Sequence, residues 1–335
     1  MTSQAVAIWT IGRRLVELRS ESIGIPRGGQ VRVQTMVSAI SHGTEMLVYR
    51  GEVPEDLSLD LPTLVGGFGY PIKYGYACAG RVVDVGEGVS DVRPGSHVFA
   101  FHPHQSEFIV DERVVVVVPD KLPVLRIAML ANLETAVNVM LDTPLAFGET
   151  VAIFGLGTVG LLLCSLASLR GGEVVAIDPL PRRRECALQW GARLTLEPHE
   201  RIAEEIRSLT NGRGADVALE ASGQPAALQH AIDAVAFQGT VVVTSWYGNK
   251  LVSLDLGARF HRDRLRLRSS QVSTIDPALS RRWDRQRRLA VAVNLLDRLP
   301  LEDLISHRFP IDAAAAAYDL IDRYPEQVQQ VVFEY

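Results

Sequence analysis

Apolar and polar positions alternate in Gln30-Val31-Arg32-Val33-Gln34-Thr35, the period of a strand with one wet face. Glycines at 86, 88 and 95 punctuate the following stretch, and the apolar run at residues 114–118 stops at Pro119, so this region reads as short strands and turns. The pattern turns helical over residues 124–141. From Thr150 onward, apolar runs of strand length at residues 151–154, 174–177, 217–220 and 241–244 alternate with helical stretches, which predicts a parallel sheet covered on both faces. Leu265-Arg266-Leu267-Arg268 repeats with period two, as a further half-wet strand. The remainder predicts a charged helix at 281–296, a strand at 305–309, an alanine-rich helix at 313–322 with Asp312 as its N-cap, and a last strand at 330–334. The fold class is α/β, a doubly wound parallel sheet plus a β-rich domain.

One stretch of this pattern carries chemistry. The run at 151–154 enters Gly155-Leu156-Gly157-Thr158-Val159-Gly160, a helical stretch follows, and a second strand-like run ends at Asp178. Gly155 permits a tight turn, Gly157 lets backbone N–H groups approach a pyrophosphate, and Gly160 lets the helix pack closely on the sheet. Thr158 and Val159 open that helix, whose N-terminal N–H groups and dipole favour anions. Asp178 is placed to accept from an adenosine ribose, which favours NAD over NADP; Arg182, Arg183 and Arg184 follow closely, either as a solvated helix start or with one of them, such as Arg183, meeting a 2′-phosphate. Ser222-Gly223 and Ser245 follow two further strand ends, where ligands bind in such sheets.

Composition narrows the class. At 335 residues the chain exceeds one ordinary core, and its 47% hydrophobic content with mean hydropathy +0.12 suits a compact enzyme. A net charge of −5 and pI near 5.9 argue against general nucleic-acid binding. Three cysteines, Cys78, Cys164 and Cys186, have no CxxC spacing, so neither a disulfide framework nor a zinc knuckle is expected. The residues near Met1 lack a leader's apolar core, and residues 161–169 are too short to span a bilayer; a cytoplasmic location is expected, without a membrane partner.

The order of these regions, together with Gly75-Tyr76-Ala77-Cys78-Ala79-Gly80-Arg81-Val82 and Val92-Arg93-Pro94-Gly95-Ser96-His97-Val98, resembles the medium-chain dehydrogenase/reductase superfamily of zinc alcohol dehydrogenases. The resemblance implies a GroES-like catalytic domain over 1–125 and 273–335, a Rossmann domain over 126–272, a small-molecule substrate and a homodimer. It also implies a nicotinamide contact at Thr135. The zinc ligands of that superfamily are missing. His42-Gly43-Thr44-Glu45 stands where a Cys-Gly-Thr-Asp-like segment is found, Gly75-Tyr76-Ala77 replaces Gly-His-Glu, and the third ligand position falls near Ala131. A catalytic zinc needs three protein ligands, so no zinc is expected unless His42, His102, His104 and Cys78 converge in space.

Without a Lewis acid, a hydrogen-bond donor or acid must serve the reacting oxygen. By resemblance Thr44 holds the proton-relay hydroxyl, and His42 and Tyr76 stand at lost ligand positions. His102 and His104, separated by Pro103, form a loop motif able to hold a carboxylate or act as acid. The leading reading is zinc-independent, NAD(H)-dependent interconversion of an alcohol and a carbonyl. Reduction of an activated C=C bond with NAD(P)H and a catalytically silent NAD-binding protein are the alternatives.

Overall fold

In the computed structural model, which describes residues 3–59, 63–64 and 66–335, the first elements form an antiparallel ribbon of β1 (Ser3–Gly12) and β2 (Leu15–Ile23). β3 (Gln30–Ala39) then buries Val31, Val33, Thr35 and Val37 on one face, as its alternation predicts. The seven-residue helix α1 (Thr44–Arg50) follows, and after it β4 (Cys78–Val85), β5 (His97–Ala100), β6 (Glu107–Asp111), β7 (Val115–Val117) and the single turn α2 (Val124–Ala128). The helix α1 falls where strands and turns were expected. Met46, Leu47, Val48 and Tyr49 are all buried, so it carries no one-sided periodicity to betray it.

The single helix expected over 124–141 is two. Met129 donates its N–H to the Arg126 carbonyl, a tightened last turn that ends α2, and α3 (Leu130–Asp142) begins afresh. From there the chain runs through β8 (Thr150–Phe154), α4 (Thr158–Leu169), β9 (Glu173–Ile177), α5 (Pro181–Gln189), β10 (Leu194–Leu196), α6 (Ile202–Leu209), β11 (Ala215–Glu220), α7 (Pro225–Ala234), β12 (Val235–Val243) and β13 (Arg266–Ser269). These six strands are parallel in the order β10-β9-β8-β11-β12-β13. The order reverses direction between β8 and β11, which makes their carboxyl ends the switch point of the sheet. Val151, Ala152 and Ile153 in β8, and Ala218 and Leu219 in β11, are fully buried, as both-sided cover requires.

α8 (Arg285–Leu296) begins four residues later than the charge pattern suggests, because the Asp284 carboxylate accepts from the Arg287 N–H and sets the helix start. β14 (His307–Pro310), α9 (Ala314–Arg323) and β15 (Val331–Glu334) complete the chain. Asp312 does not cap α9: it lies within a 3₁₀ turn, and the N-cap is Ala313 without a side-chain bond. β15 pairs parallel with β14 and antiparallel with β3, giving the order β14-β15-β3-β4-β5-β7, with β6 also on β3.

Two compact units result: Met1–Ala131 with Ala292–Tyr335, and Asn132–Val291. The divisions lie after the expected ones at 126 and 273. α2 packs on β3, β4 and β5 and so stays with the first unit. In the second, the buried Arg288 is held by Glu134 at 2.8 Å and by Asn138 at 2.7 Å. Among the described residues no helix is long and apolar enough to cross a membrane.

Candidate functional site

In the second unit the site begins with three glycines in different surroundings. Gly155 has φ +96°, and a Cβ there would lie 2.6 Å from the Ser222 nitrogen. A Cβ on Gly160 would lie 1.9 Å from the Gly155 carbonyl oxygen, so α4 leaves the sheet at a distance only glycine allows. Around Gly157, by contrast, no protein atom lies within 4 Å of a Cβ. Gly157 is also the N-cap of α4, and no side chain caps that end. The turn is therefore packed by the protein at 155 and 160 and open at 157, a cradle suited to a phosphate group at a helix N-terminus.

Asp178, 3% exposed, sits under this turn. One carboxylate oxygen accepts from the Leu156 N–H at 2.8 Å and the other from the Leu180 N–H at 2.9 Å. Each retains acceptor capacity for a ribose hydroxyl. The Arg183 guanidinium lies 3.8 Å from the same carboxylate, and Arg184 donates to the carbonyls of Asp178 and Pro179 at 2.7 and 2.9 Å. Arg183 and Arg184 are thus half-buried against the acid, while Arg182 is exposed. Ser222, Gly223 and Ser245 form one hydrogen-bonded turn: the Gly223 N–H donates to the Ser245 hydroxyl at 2.9 Å and to Glu220 at 2.9 Å. Thr158 and Val159 occupy the first positions of α4, and Thr135 is half-buried on α3. Gly157 with the start of α4, Asp178 with Arg183, and Ser222 with Ser245 are the groups of this unit that could hold a dinucleotide.

The first unit holds a different kind of site, a buried polar cluster centred on Glu45. Its carboxylate accepts from the Ser41 N–H at 2.7 Å, from His104 Nε2 at 2.8 Å and from the Tyr318 hydroxyl at 3.0 Å. His104 Nδ1 lies 2.7 Å from the Ser38 hydroxyl, which meets the Tyr335 hydroxyl at 2.8 Å. With Nε2 donating to the carboxylate, a neutral ring accepts at Nδ1 from Ser38, so the chain of donors runs from Tyr335 to Glu45. Gly75, at φ +116°, leaves room for the His104 ring, which a Cβ would approach to 2.6 Å.

Thr44 opens α1 beside this cluster, and Tyr76 hydrogen-bonds the side chains of both Ser41 and Thr44. Burial, and then the Glu45 charge, push the Tyr76 phenol up to about 12, so it is a proton donor at neutral pH. Thr44 and Tyr76 are brought together, while the histidines turn elsewhere. His102 stacks on Phe108 at 3.8 Å and bonds the Pro103 carbonyl at 2.9 Å. Burial lowers it to about 3 and leaves the ring neutral. His104 is fully buried inside the Glu45 cluster. His42 Nε2 accepts from the Val331 N–H at 3.2 Å, which commits its lone pair to the backbone of β15.

The same geometry bears on zinc. Among the described residues no group of three or more His, Cys, Asp or Glu side chains lies where it could hold a metal ion. Cys78 is buried with its thiol toward the carbonyls of His102 and Pro103 at 3.2 and 3.3 Å, and burial raises its pKa, so it is not a ready thiolate ligand. These donors do not fit a three-ligand catalytic zinc. Ser38, Tyr318 and Tyr335 have no local signal in the sequence, because each gains its place only through partners far along the chain.

Residues 158–285 match the zinc-binding dehydrogenase family. The chain is 28% identical over 292 residues to the (R,R)-butanediol dehydrogenase of Bacillus subtilis, covering 77% of this chain and 81% of that one. It is also 28% identical to the D-guloside 3-dehydrogenase of Shigella flexneri, covering 93% and 94%. The crystal structure of the Bacillus subtilis 2R,3R-butanediol dehydrogenase shares the fold, with TM-score 0.83, 19% identity and 99% of both chains covered. So do a Sinorhizobium meliloti zinc-binding dehydrogenase bound to NADP (TM-score 0.80, 20% identity, 99% and 100% covered) and an Escherichia coli alcohol dehydrogenase complexed with NADH (0.81, 18%, 99% and 100%). The chain is thus similar in sequence to curated dehydrogenases over most of its length, and it shares its fold with these solved structures.

Proposed function

We propose that this protein moves a hydride between NAD(H) and the carbinol carbon of a small secondary alcohol or polyol, without zinc. The observation that carries the nucleotide half is Gly157: an open backbone at the uncapped start of α4, on the switch point of the sheet, above the Asp178 carboxylate. NADP-bound and NADH-bound structures of the same fold support it. The bound nicotinamide supplies a hydride acceptor or donor at its ring. Asp178 favours the ribose of NAD over the 2′-phosphate of NADP, with Arg183 as the group that would admit the latter.

The alcohol half rests on Thr44 and Tyr76. In the reducing direction the carbonyl carbon takes a hydride and its oxygen takes the Tyr76 proton, leaving a phenolate that is reprotonated from solvent; oxidation is the reverse, in which the phenolate, once its proton has passed to solvent, accepts the substrate O–H proton as the C–H leaves as hydride. A neutral phenol polarised by two hydroxyl partners can serve where a metal is absent from the donor set. His102 and His104 act through structure in this reading. The relatives that act on butanediol and guloside support an alcohol rather than an enone.

A steady-state screen of secondary alcohols, polyols, ketones and enones with both cofactors tests the proposal. Turnover of an alcohol and its ketone, faster with NAD(H) than NADP(H), is expected. Turnover of enones alone, or nucleotide binding with no turnover of any class, would overturn it.

A further inference from the structure

Three polar residues of α3, Glu134, Asn138 and Asp142, stand four positions apart and so share one face of the helix. All three are buried, at 5%, 2% and 7% exposure, where a helix ordinarily turns apolar side chains inward. The Arg288 guanidinium of α8, 1% exposed, spans the first two: Nε and Nη2 donate to Glu134 Oε1 at 3.0 and 2.8 Å, and Nη1 donates to the Asn138 side-chain carbonyl at 2.7 Å. Asn138 donates in turn to Asp142 at 3.0 Å. Asp142 accepts from the Ser270 hydroxyl and from Arg268, both at 2.7 Å. Such a row is weak evidence of stabilisation, because desolvation of the ions offsets their attraction. What it supplies is geometry. A planar guanidinium bonded to two successive turns of α3 fixes that helix against α8 both along and around its axis.

The row ends at the carboxyl edge of the parallel sheet. Ser270 follows β13, and its N–H donates to the carbonyl of Val243, the last residue of β12, at 2.9 Å. Just beyond Val243, the Ser245 hydroxyl takes the Gly223 N–H of the turn after β11. Asp178, by contrast, follows β9, on the other side of β8. A dinucleotide laid across the switch point with its adenosine at Asp178 carries its nicotinamide toward the ends of β11, β12 and β13, where the row arrives. We propose that Glu134 and Arg288 are positioning residues for the nicotinamide half of the cofactor. They set α3, and through Asp142 and Ser270 the ends of β12 and β13, at the spacing that this half requires. The proposal rests on the dinucleotide reading of this unit and adds the pair that serves one half of the ligand and not the other.

The test is calorimetric titration of the intact protein with NADH and with ADP-ribose, the same molecule without its nicotinamide. Wild type is compared with Arg288→Met and with the double variant Glu134→Leu with Arg288→Met. Arg288→Met leaves the Glu134 charge buried without its partner. The double variant puts apolar side chains in place of both ions and keeps a folded chain should the single one fail. In the double variant NADH binding should weaken by about tenfold, while ADP-ribose binding stays within about threefold of wild type. A purely structural role would move both ligands together. Equal losses for NADH and ADP-ribose, an unchanged NADH affinity, or a double variant that circular dichroism shows unfolded would each overturn the proposal. A wild-type chain that binds neither ligand would overturn the dinucleotide reading itself, and this proposal with it.

Discussion

The glycine-rich turn of the second unit and the Glu45 cluster of the first are both built for polar chemistry, yet one is made of backbone and the other of side chains. At Gly155, Gly157 and Gly160 the working groups are N–H donors and empty space, and residue choice matters by what it leaves out. At Glu45 the working groups come from Ser38, Ser41, His104 and Tyr318, gathered from both ends of the chain. A backbone site is local, so its shape follows from neighbouring residues. A side-chain site exists only after folding, and each member depends on the rest.

That contrast can be broken most severely at Gly160. Gly160→Ala drives a methyl group into the Gly155 carbonyl, and a loss of about 3–4 kcal/mol in stability is expected by urea unfolding, with cofactor binding lost alongside. Glu45→Ala should cost about 3 kcal/mol by the same measurement, because the carboxylate is 2% exposed and its removal strands His104, Tyr318 and the Ser41 N–H. If Glu45→Ala proves neutral, the cluster is not cooperative and the contrast fails.

His102 offers a smaller, pH-dependent probe. Its folded pKa is lowered to about 3 by burial, below the unfolded value near 6.5. The stability it contributes is complete above pH 6.5 and drains as pH falls from there toward 3, by at most about 1.4 kcal/mol per unit. His102→Phe, which keeps a ring against Phe108, should flatten that slope in urea midpoints between pH 7 and 5; an unchanged slope would place the dependence elsewhere. The smallest effect on stability is expected at Gly157. Gly157→Ala meets no protein atom, so its melting temperature should hold within about 1 °C while NADH affinity falls by about tenfold. Intact affinity would mean that no phosphate comes near Gly157.

The same contrast explains what could be read in the sequence. The parallel sheet and the turn from Gly155 to Asp178 were visible because strand-length runs and glycine spacing are local signals. α1 was not, since its buried residues leave no polar face. Nor was the break at Met129, or the start of α8 at Asp284, which capping rather than periodicity decides. His102 and His104 stood out as a histidine pair, but whether a histidine faces substrate or core depends on Phe108, Ser38 and Glu45, none of which adjoins it in sequence. Glu134 and Arg288 were unreadable as a pair for the same reason: they meet only in the folded chain.

The proposed function gives nucleotide binding to the glycine-rich turn and proton chemistry to Thr44 and Tyr76, without a metal. Zinc content and alcohol dehydrogenase turnover, measured on one purified sample before and after chelation, address it directly. Substoichiometric zinc with turnover that survives chelation is the expected result; stoichiometric zinc whose removal abolishes turnover, and whose return restores it, would contradict the reading.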